Sequence, residues 1–190
     1  MNMDAEKTYI LNDAMVHESE LELLSGTNWI NDSLIHFHSE LLSSSASEKN
    51  SCCFLAPSIV LLLETYLDIS LGPPDLQNAE AIFIPVNDNK DLDSPGGSHW
   101  SLLVYHNQSF YYYDSLNTTG KSKQKTRARE IAVAFSKILH LKGDPTMVKV
   151  ESPVQLNYYD CGVYVMYMSK LLASRIQENS HDHKIGNLAM

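Results

Sequence analysis

Cysteine and positive charge are both scarce in this chain. Its 190 residues include three cysteines, and 14 Lys plus Arg stand against 23 Asp plus Glu. Three cysteines, an odd number at no framework spacing, exclude a disulfide scaffold and point to a reducing compartment, cytosol or nucleus. A net charge of -9 argues against nucleic-acid partners, because phosphate binding runs on clustered cations. Long hydrophobic runs are missing too. Ile59 to Leu63 is far too short to cross a bilayer, so no membrane association is expected. Met1 to Lys7 lacks the basic and apolar segments of a secretory signal, and the sequons at Asn31, Asn107 and Asn117 are expected to stay unused. The apolar share is 44%, enough for a full core without metal or disulfide staples. One domain over 1–190 is expected, with a polar tail from about 177.

The hydrophobic period changes along the chain. Residues 8–12 read as a strand, followed by a helical turn around Leu21–Leu24. Asn31 and Asp32 are N-cap candidates for a helix to about Leu42, with Leu34, Phe37 and Leu41 as its apolar stripe. Ser43 to Ser51 reads as a loop, and Pro57 opens a helix through Leu67. Strands are expected at Ala81–Val86, His99–Tyr105 and Ser109–Asp114, the last two forming an antiparallel hairpin across Asn107. A long helix over about Ser122–Leu141 has Ile131, Phe135, Ile138 and Leu139 on one face, and Lys142-Gly143-Asp144-Pro145 stops it. A strand at Met147–Val150 and a helix from Cys161 to about Ile176, with Val165, Met168 and Leu172 stacked, complete the pattern. The class is α+β, with a mixed or antiparallel sheet flanked by helices.

Gln155-Leu-Asn-Tyr-Tyr-Asp-Cys-Gly162 is the most telling stretch. It puts Cys161 where turn-forming residues give way to a helix, so the thiol sits at the positive end of the helix dipole, which favours the nucleophilic thiolate. Such a nucleophile needs an imidazole. His36 and His38 are explained by the surface of the first helix, and His140 by the end of the long one. His181 and His183 fit a solvated tail better than a metal site. His99 differs, because it follows the loop Asp93 to Ser98 and begins a strand, a position from which a side chain reaches a cleft. Pairing across Asn107 sets residue 99 opposite about 115, so Asp114 lies one residue from direct register and can fix the imidazole tautomer. Asp160, the rival acceptor, adjoins Cys161 and suits a helix cap. Gln155 could add a side-chain donor to the Cys161 N–H for an oxyanion. Cys52 and Cys53 have no acid, base or helix start beside them and read as core or loop.

These segments, with Asn28-Trp-Ile-Asn-Asp32, Gly97-Ser-His-Trp-Ser-Leu-Leu-Val104 and Tyr113-Asp-Ser115, resemble the ubiquitin-like-protein-specific cysteine proteases, the sentrin/SUMO protease family with its papain-like core. The likeness covers roughly residues 8–176. Asn87-Asp-Asn89 and the Gly-Gly-Ser-His-Trp run look most like the deneddylase branch. The resemblance implies Cys161 as nucleophile, His99 as base, Asp114 as orienter and Gln155 as oxyanion donor. It also implies that Trp29 and Trp100 roof a tunnel for the modifier's Gly-Gly tail, and that Asp32 meets an Arg upstream in that tail. The loop from about Asn89 to Ser98 is implied to close on substrate, with Gly96-Gly97 as hinge. No cofactor and no metal are expected. The implied function is a monomeric thiol isopeptidase whose partners are a Nedd modifier and its conjugates. The alternatives are a SUMO-specific protease of the same fold, a Cys-dependent acyltransferase, disfavoured by the lack of a basic cluster for CoA phosphates, and a weakly catalytic modifier-binding protein. Only 29 residues follow Cys161, where family members usually continue with further helical structure, so weakened modifier docking or stability is also expected.

Overall fold

A computed structural model describes residues 6–45, 52–91, 96–116 and 122–179. A small hairpin opens the chain, β1 (Thr8–Leu11) against β2 (Ala14–His17), turning through Asn12 at φ 52°. One helical turn, α1 (Glu18–Leu21), leads to α2 (Asp32–Ser45). Asn31 caps α2, its Oδ1 accepting from the Leu34 N–H at 3.1 Å. The buried stripe of α2 is Leu34, Ile35 and Ser39, with Phe37 and Leu42 packed beside it. Leu41 is exposed instead of joining that stripe, because α2 turns its Leu34–Ile35 edge to the core.

The main sheet has five strands in sequence order: β3 (Cys52–Phe54), β4 (Ala81–Asn87), β5 (Trp100–His106), β6 (Ser109–Tyr113) and β7 (Thr146–Lys149). It is mixed. The middle pairs are antiparallel, and the outer pairs β3–β4 and β6–β7 are parallel, each joined through a helix. Those helices are α3 (Pro57–Tyr66), with proline in its first turn, and α4 (Lys123–Ile138), capped by the Ser122 hydroxyl. β3 makes a strand of the Cys52-Cys53 segment, which three residues of pattern were too few to reveal.

Strand alternation sorts the core. Phe54, Ala81, Phe83, Leu102, Val104 and Tyr113 pack against α2 and the last helix, α5 (Cys161–Asn179). Cys53, Ile82, Ile84, Leu103, Phe110 and Tyr112 pack against α3 and α4. Both faces are covered, which is why the strands read as continuous apolar runs.

The β5–β6 turn corrects the expected register. Asn107 and Gln108 both adopt positive φ, 47° and 58°, the signature of a two-residue type I′ turn. His106 therefore pairs with Ser109 and Leu102 with Tyr113, so 99 extrapolates opposite 116 and 101 opposite 114. The expected register was one residue off, and a one-residue slip puts Asp114 on the opposite face from His99. The actual turn returns the two to one face as diagonal neighbours.

Candidate active site

The site lies where three chain segments meet at one end of the sheet. His99 immediately precedes β5, Asp114 immediately follows β6, and Cys161 opens α5. The α5 stripe Cys161, Val165, Met168, Leu172 and Ile176 is wholly buried, so the sulfur is anchored by the helix's own packing. Gly162 lets this helix start seat itself, since a Cβ there would meet Ile30 Cβ at 2.5 Å.

The His99 ring is fixed on one side by the carboxylate. Its Nε2 donates to Asp114 Oδ1 at 2.8 Å, and Cys161 lies near enough to act on the ring electrostatically. With Nε2 occupied by the carboxylate, Nδ1 is the nitrogen left for the sulfur. Burial alone would make the imidazolium less stable, but the hydrogen bond to Asp114 and the charges of Asp114 and Cys161 outweigh it and raise the His99 pKa to about 9. Asp114 is nearly inaccessible, and burial pushes its pKa up. The hydrogen bond and charge of His99, with donors from the Leu116 N–H (3.1 Å) and the Tyr112 hydroxyl (3.1 Å), reverse that, leaving it below the usual carboxylate range.

Two loops support this pair. Asp88 accepts from the Ser98 N–H (2.6 Å), the Ser98 hydroxyl (2.7 Å) and the His99 N–H (3.3 Å), fixing the backbone that leads into the imidazole. Gly97, at φ 104°, lies so close to Asn87 that a Cβ would overlap its side-chain oxygen at 1.9 Å. Here the expected hinge glycine is packed against β4. The second loop precedes Cys161. Asn157 Oδ1 accepts from the N–H groups of Tyr159 and Asp160, its Nδ2 donates to Asp160 Oδ2 at 2.7 Å, and its carbonyl accepts from Gln155 Nε2 at 2.7 Å. Asp160 thus meets Asn157 rather than His99, and its carbonyl takes the Tyr164 N–H of the first helical turn. Gln155 is buried, its Oε1 accepting from the Ser115 hydroxyl at 2.6 Å, so the amide nitrogen is oriented by elimination. One of its two hydrogens goes to Asn157, and the other is left for a ligand.

The expected substrate contacts differ among themselves. Trp29 is 51% exposed, whereas Trp100 is 5% exposed and its indole donates to the Ile30 carbonyl at 3.0 Å. Trp100 nonetheless lines a cleft of about 480 Å³ that Asp32, Asn31, Asn87 and Gly96 also border. Asp32 is exposed at the start of α2, and partial desolvation raises its pKa.

Sequence reasoning gave no role to Asp88, Asn157, Ser115, Tyr112, Ser101 or Gln124. An Asn shortly before a helix start is a recognisable turn signal, so Asn157 was open to detection. The others act across the sheet, and only tertiary structure brings them in. His36 pairs with Asp13 at 3.4 Å, and His38, half-buried rather than a surface residue, is desolvated and faces Lys170, which drives its pKa down to about 4. Among the described residues one group has metal-ligand spacing, Asp13, His36 and Glu40, with ligand atoms within 4.8 Å. It lies on none of the elements that carry Cys161, and Glu40 already accepts from Asn12 at 2.6 Å. His181 and His183 lie outside the described residues. All three cysteines are free, and no helix among the described residues is long and apolar enough to cross a membrane.

A family model described as the Ulp1 protease family, C-terminal catalytic domain, matches residues 28–188. The chain is 32% identical to sentrin-specific protease 8 of Rattus norvegicus over 174 residues, covering 86% of this chain and 78% of that one. It is 28% identical to NEDD8-specific protease 1 of Arabidopsis thaliana, covering 89% and 76%. The solved C-terminal Ulp1 protease domain in complex with Smt3, the yeast ortholog of SUMO, superposes with a TM-score of 0.67 at 19% identity, covering 92% of this chain and 79% of that one, and so shares the fold.

Proposed function

This chain belongs to the Ulp1 protease family, and we propose that it acts as one protease domain that cuts after the C-terminal Gly-Gly of a Nedd-type modifier, maturing its precursor and releasing it from conjugates. The chemistry is that of a cysteine protease. The observation that carries the proposal is the His99 ring, held by Asp114 at 2.8 Å on one nitrogen and set within electrostatic reach of Cys161 at the head of α5. The choice of Nedd over SUMO is supported by the likeness to the NEDD8-specific protease 1 of Arabidopsis thaliana. Three free cysteines suit a reducing cytosol or nucleus.

The steps follow from the arrangement. A His99 pKa near 9 makes the ring an imidazolium at neutral pH, the counter-ion a Cys161 thiolate needs. The thiolate attacks the carbonyl carbon of the modifier's last glycine. The oxygen that gains charge is received by the Cys161 N–H, which opens the helix and has no intrahelical acceptor, and by the free N–H of Gln155. The C–N bond breaks as His99 gives its proton to the departing Lys amine, leaving a thioester on Cys161. Neutral His99 then takes a proton from water, whose hydroxide displaces the thiolate and frees the modifier's carboxylate. Trp29 and Trp100 would line the slot for the tail, which only glycine passes for lack of a Cβ, and Asp32 would meet an upstream Arg as a charge-assisted pair.

The test is hydrolysis of Nedd, SUMO and ubiquitin carrying the same C-terminal fluorophore, together with labelling by Nedd bearing a C-terminal electrophile. Nedd should be cleaved fastest, and labelling should vanish in Cys161→Ala. Faster SUMO cleavage would overturn the substrate and keep the chemistry, whereas binding without labelling would make the chain a modifier-binding protein.

A further inference from the structure

The catalytic carboxylate is backed by a buried row of polar side chains that runs from β6 through β5 to α4. Tyr112 donates to Asp114 Oδ2 at 3.1 Å, Ser101 is the diagonal cross-strand neighbour of Tyr112 on the same face, and Gln124 Nε2 reaches Ser101 Oγ at 2.9 Å. Gln124 Nε2 also reaches the Val86 carbonyl at 2.9 Å and the carbonyl of His99 itself at 3.4 Å. Tyr112, Ser101, Gln124 and Asp114 are all buried.

The ends of this row fix its direction. Carbonyl oxygens only accept, so the nitrogen of the Gln124 amide must face Val86 and His99. That makes Ser101 Oγ an acceptor from Gln124 and leaves its own hydrogen available toward the Tyr112 side. A carboxylate only accepts, so the Tyr112 hydrogen points to Asp114. Both bonds donate in the direction of the carboxylate, and donors in a low-dielectric interior are electrostatically strong. The other carboxylate oxygen takes His99 Nε2 and the Leu116 N–H. With both oxygens bound, the carboxylate has no rotation left.

We propose that Tyr112, Ser101 and Gln124 are positioning residues for the Cys161 reaction: through Asp114 they hold the His99 ring in the plane and tautomer that present Nδ1 to the sulfur. They touch neither substrate nor sulfur. Gln124 directs its two N–H groups to Val86 of β4 and Ser101 of β5, with the His99 carbonyl 3.4 Å away, so α4 is anchored beside the strand end that carries the imidazole. The inference rests on the assignment of Cys161, His99 and Asp114 made above.

A double-mutant cycle separates positioning from packing. Tyr112→Phe keeps the ring and removes the donor. With fluorogenic Nedd it should lower kcat about ten-fold, by analogy with groups that orient a reacting residue, and leave KM within about two-fold. The rate at which a Nedd electrophile labels Cys161 should fall by the same factor. In an Asp114→Asn background, Tyr112→Phe should cause no further loss, because the group it acts through has changed. Equal loss in both backgrounds, or full kcat for folded Tyr112→Phe, would overturn the relay. Should Tyr112→Phe fail to fold, Ser101→Ala removes the hydroxyl that lies between Gln124 and Tyr112 and is judged by the same criterion. Full kcat in Asp114→Asn alone would overturn both the relay and the catalytic assignment, whereas a slow Asp114→Asn beside a fast Tyr112→Phe removes the relay only.

Discussion

The two faces of the central sheet contribute different halves of the proposed chemistry. The α2/α5 face carries the sulfur, as the first residue of a helix whose buried stripe runs from Cys161 to Ile176. The imidazole and carboxylate share the parity of Ser101 and Tyr112, so they root in the α3/α4 face and its polar row to Gln124. The proposed nucleophile is placed by apolar packing and the proposed base by polar links. Packing is non-directional and tolerates small shifts, whereas a hydrogen-bonded carboxylate must be aimed. One face needs volume to be right and the other needs geometry.

The largest break comes from the sulfur itself. Cys161→Ala leaves the α5 stripe nearly filled but removes the attacking atom, and turnover of fluorogenic Nedd should fall by about 10⁴-fold or more while the melting temperature barely moves. Gln155→Ala removes a candidate oxyanion donor. Its expected loss in kcat is smaller, about 10²-fold. Because its Oε1 also ties to Ser115, some loss of stability should accompany it.

The pH profile tests the polar half. His99 is raised from 6.5 to about 9 by Asp114 and Cys161, which outweigh burial. A raised imidazolium contributes stability that is complete below about 6.5 and is lost as pH climbs to about 9. The same titration removes the acid that protonates the leaving amine. kcat/KM should therefore fall about ten-fold per unit above pH 9, and Asp114→Asn should move that alkaline limb to lower pH. A limb unmoved by Asp114→Asn would mean that another group sets it.

Much of this division was legible beforehand because it lies in local pattern. The α5 stripe at Val165, Met168 and Leu172, the run Ala81–Val86, and Cys161 at the junction of turn and helix are all short-range signals. The register at Asp114 was not. Whether His106-Asn107-Gln108 forms a two- or three-residue turn depends on positive φ at Asn107 and Gln108, and Gln gives little warning of that. The strand at Cys52–Phe54 was hidden because three residues carry no period and its identity comes from pairing with β4. Asp88, Ser101 and Gln124 were hidden for the same reason, since their partners lie 10 to 38 residues away. Leu41 was misplaced because an apolar residue one step off the stripe has the same sequence spacing as one on it.

The smallest expected effect gives the sharpest contrast, since each face holds a cysteine of equal burial. Cys161 and Cys53 are both 3% exposed, one at the head of α5 and the other in the core beside α3 and α4. Burial raises the Cys53 pKa strongly, the nearby Asp75 and Cys52 add to that, and no imidazole offsets it. Cys52 is likewise raised, to about 12, by burial and Glu80. Both should stay thiols at neutral pH, so brief iodoacetamide treatment of the native protein should alkylate Cys161 and spare the pair until denaturant is added, as read by peptide mass. Cys53→Ala should leave kcat unchanged and cost about 1 kcal/mol of stability for the lost sulfur packing, measured by denaturant midpoint. If Cys53 were alkylated as fast as Cys161, burial alone would be setting reactivity, and the His99–Asp114 pair would have no part in the difference between the two thiols.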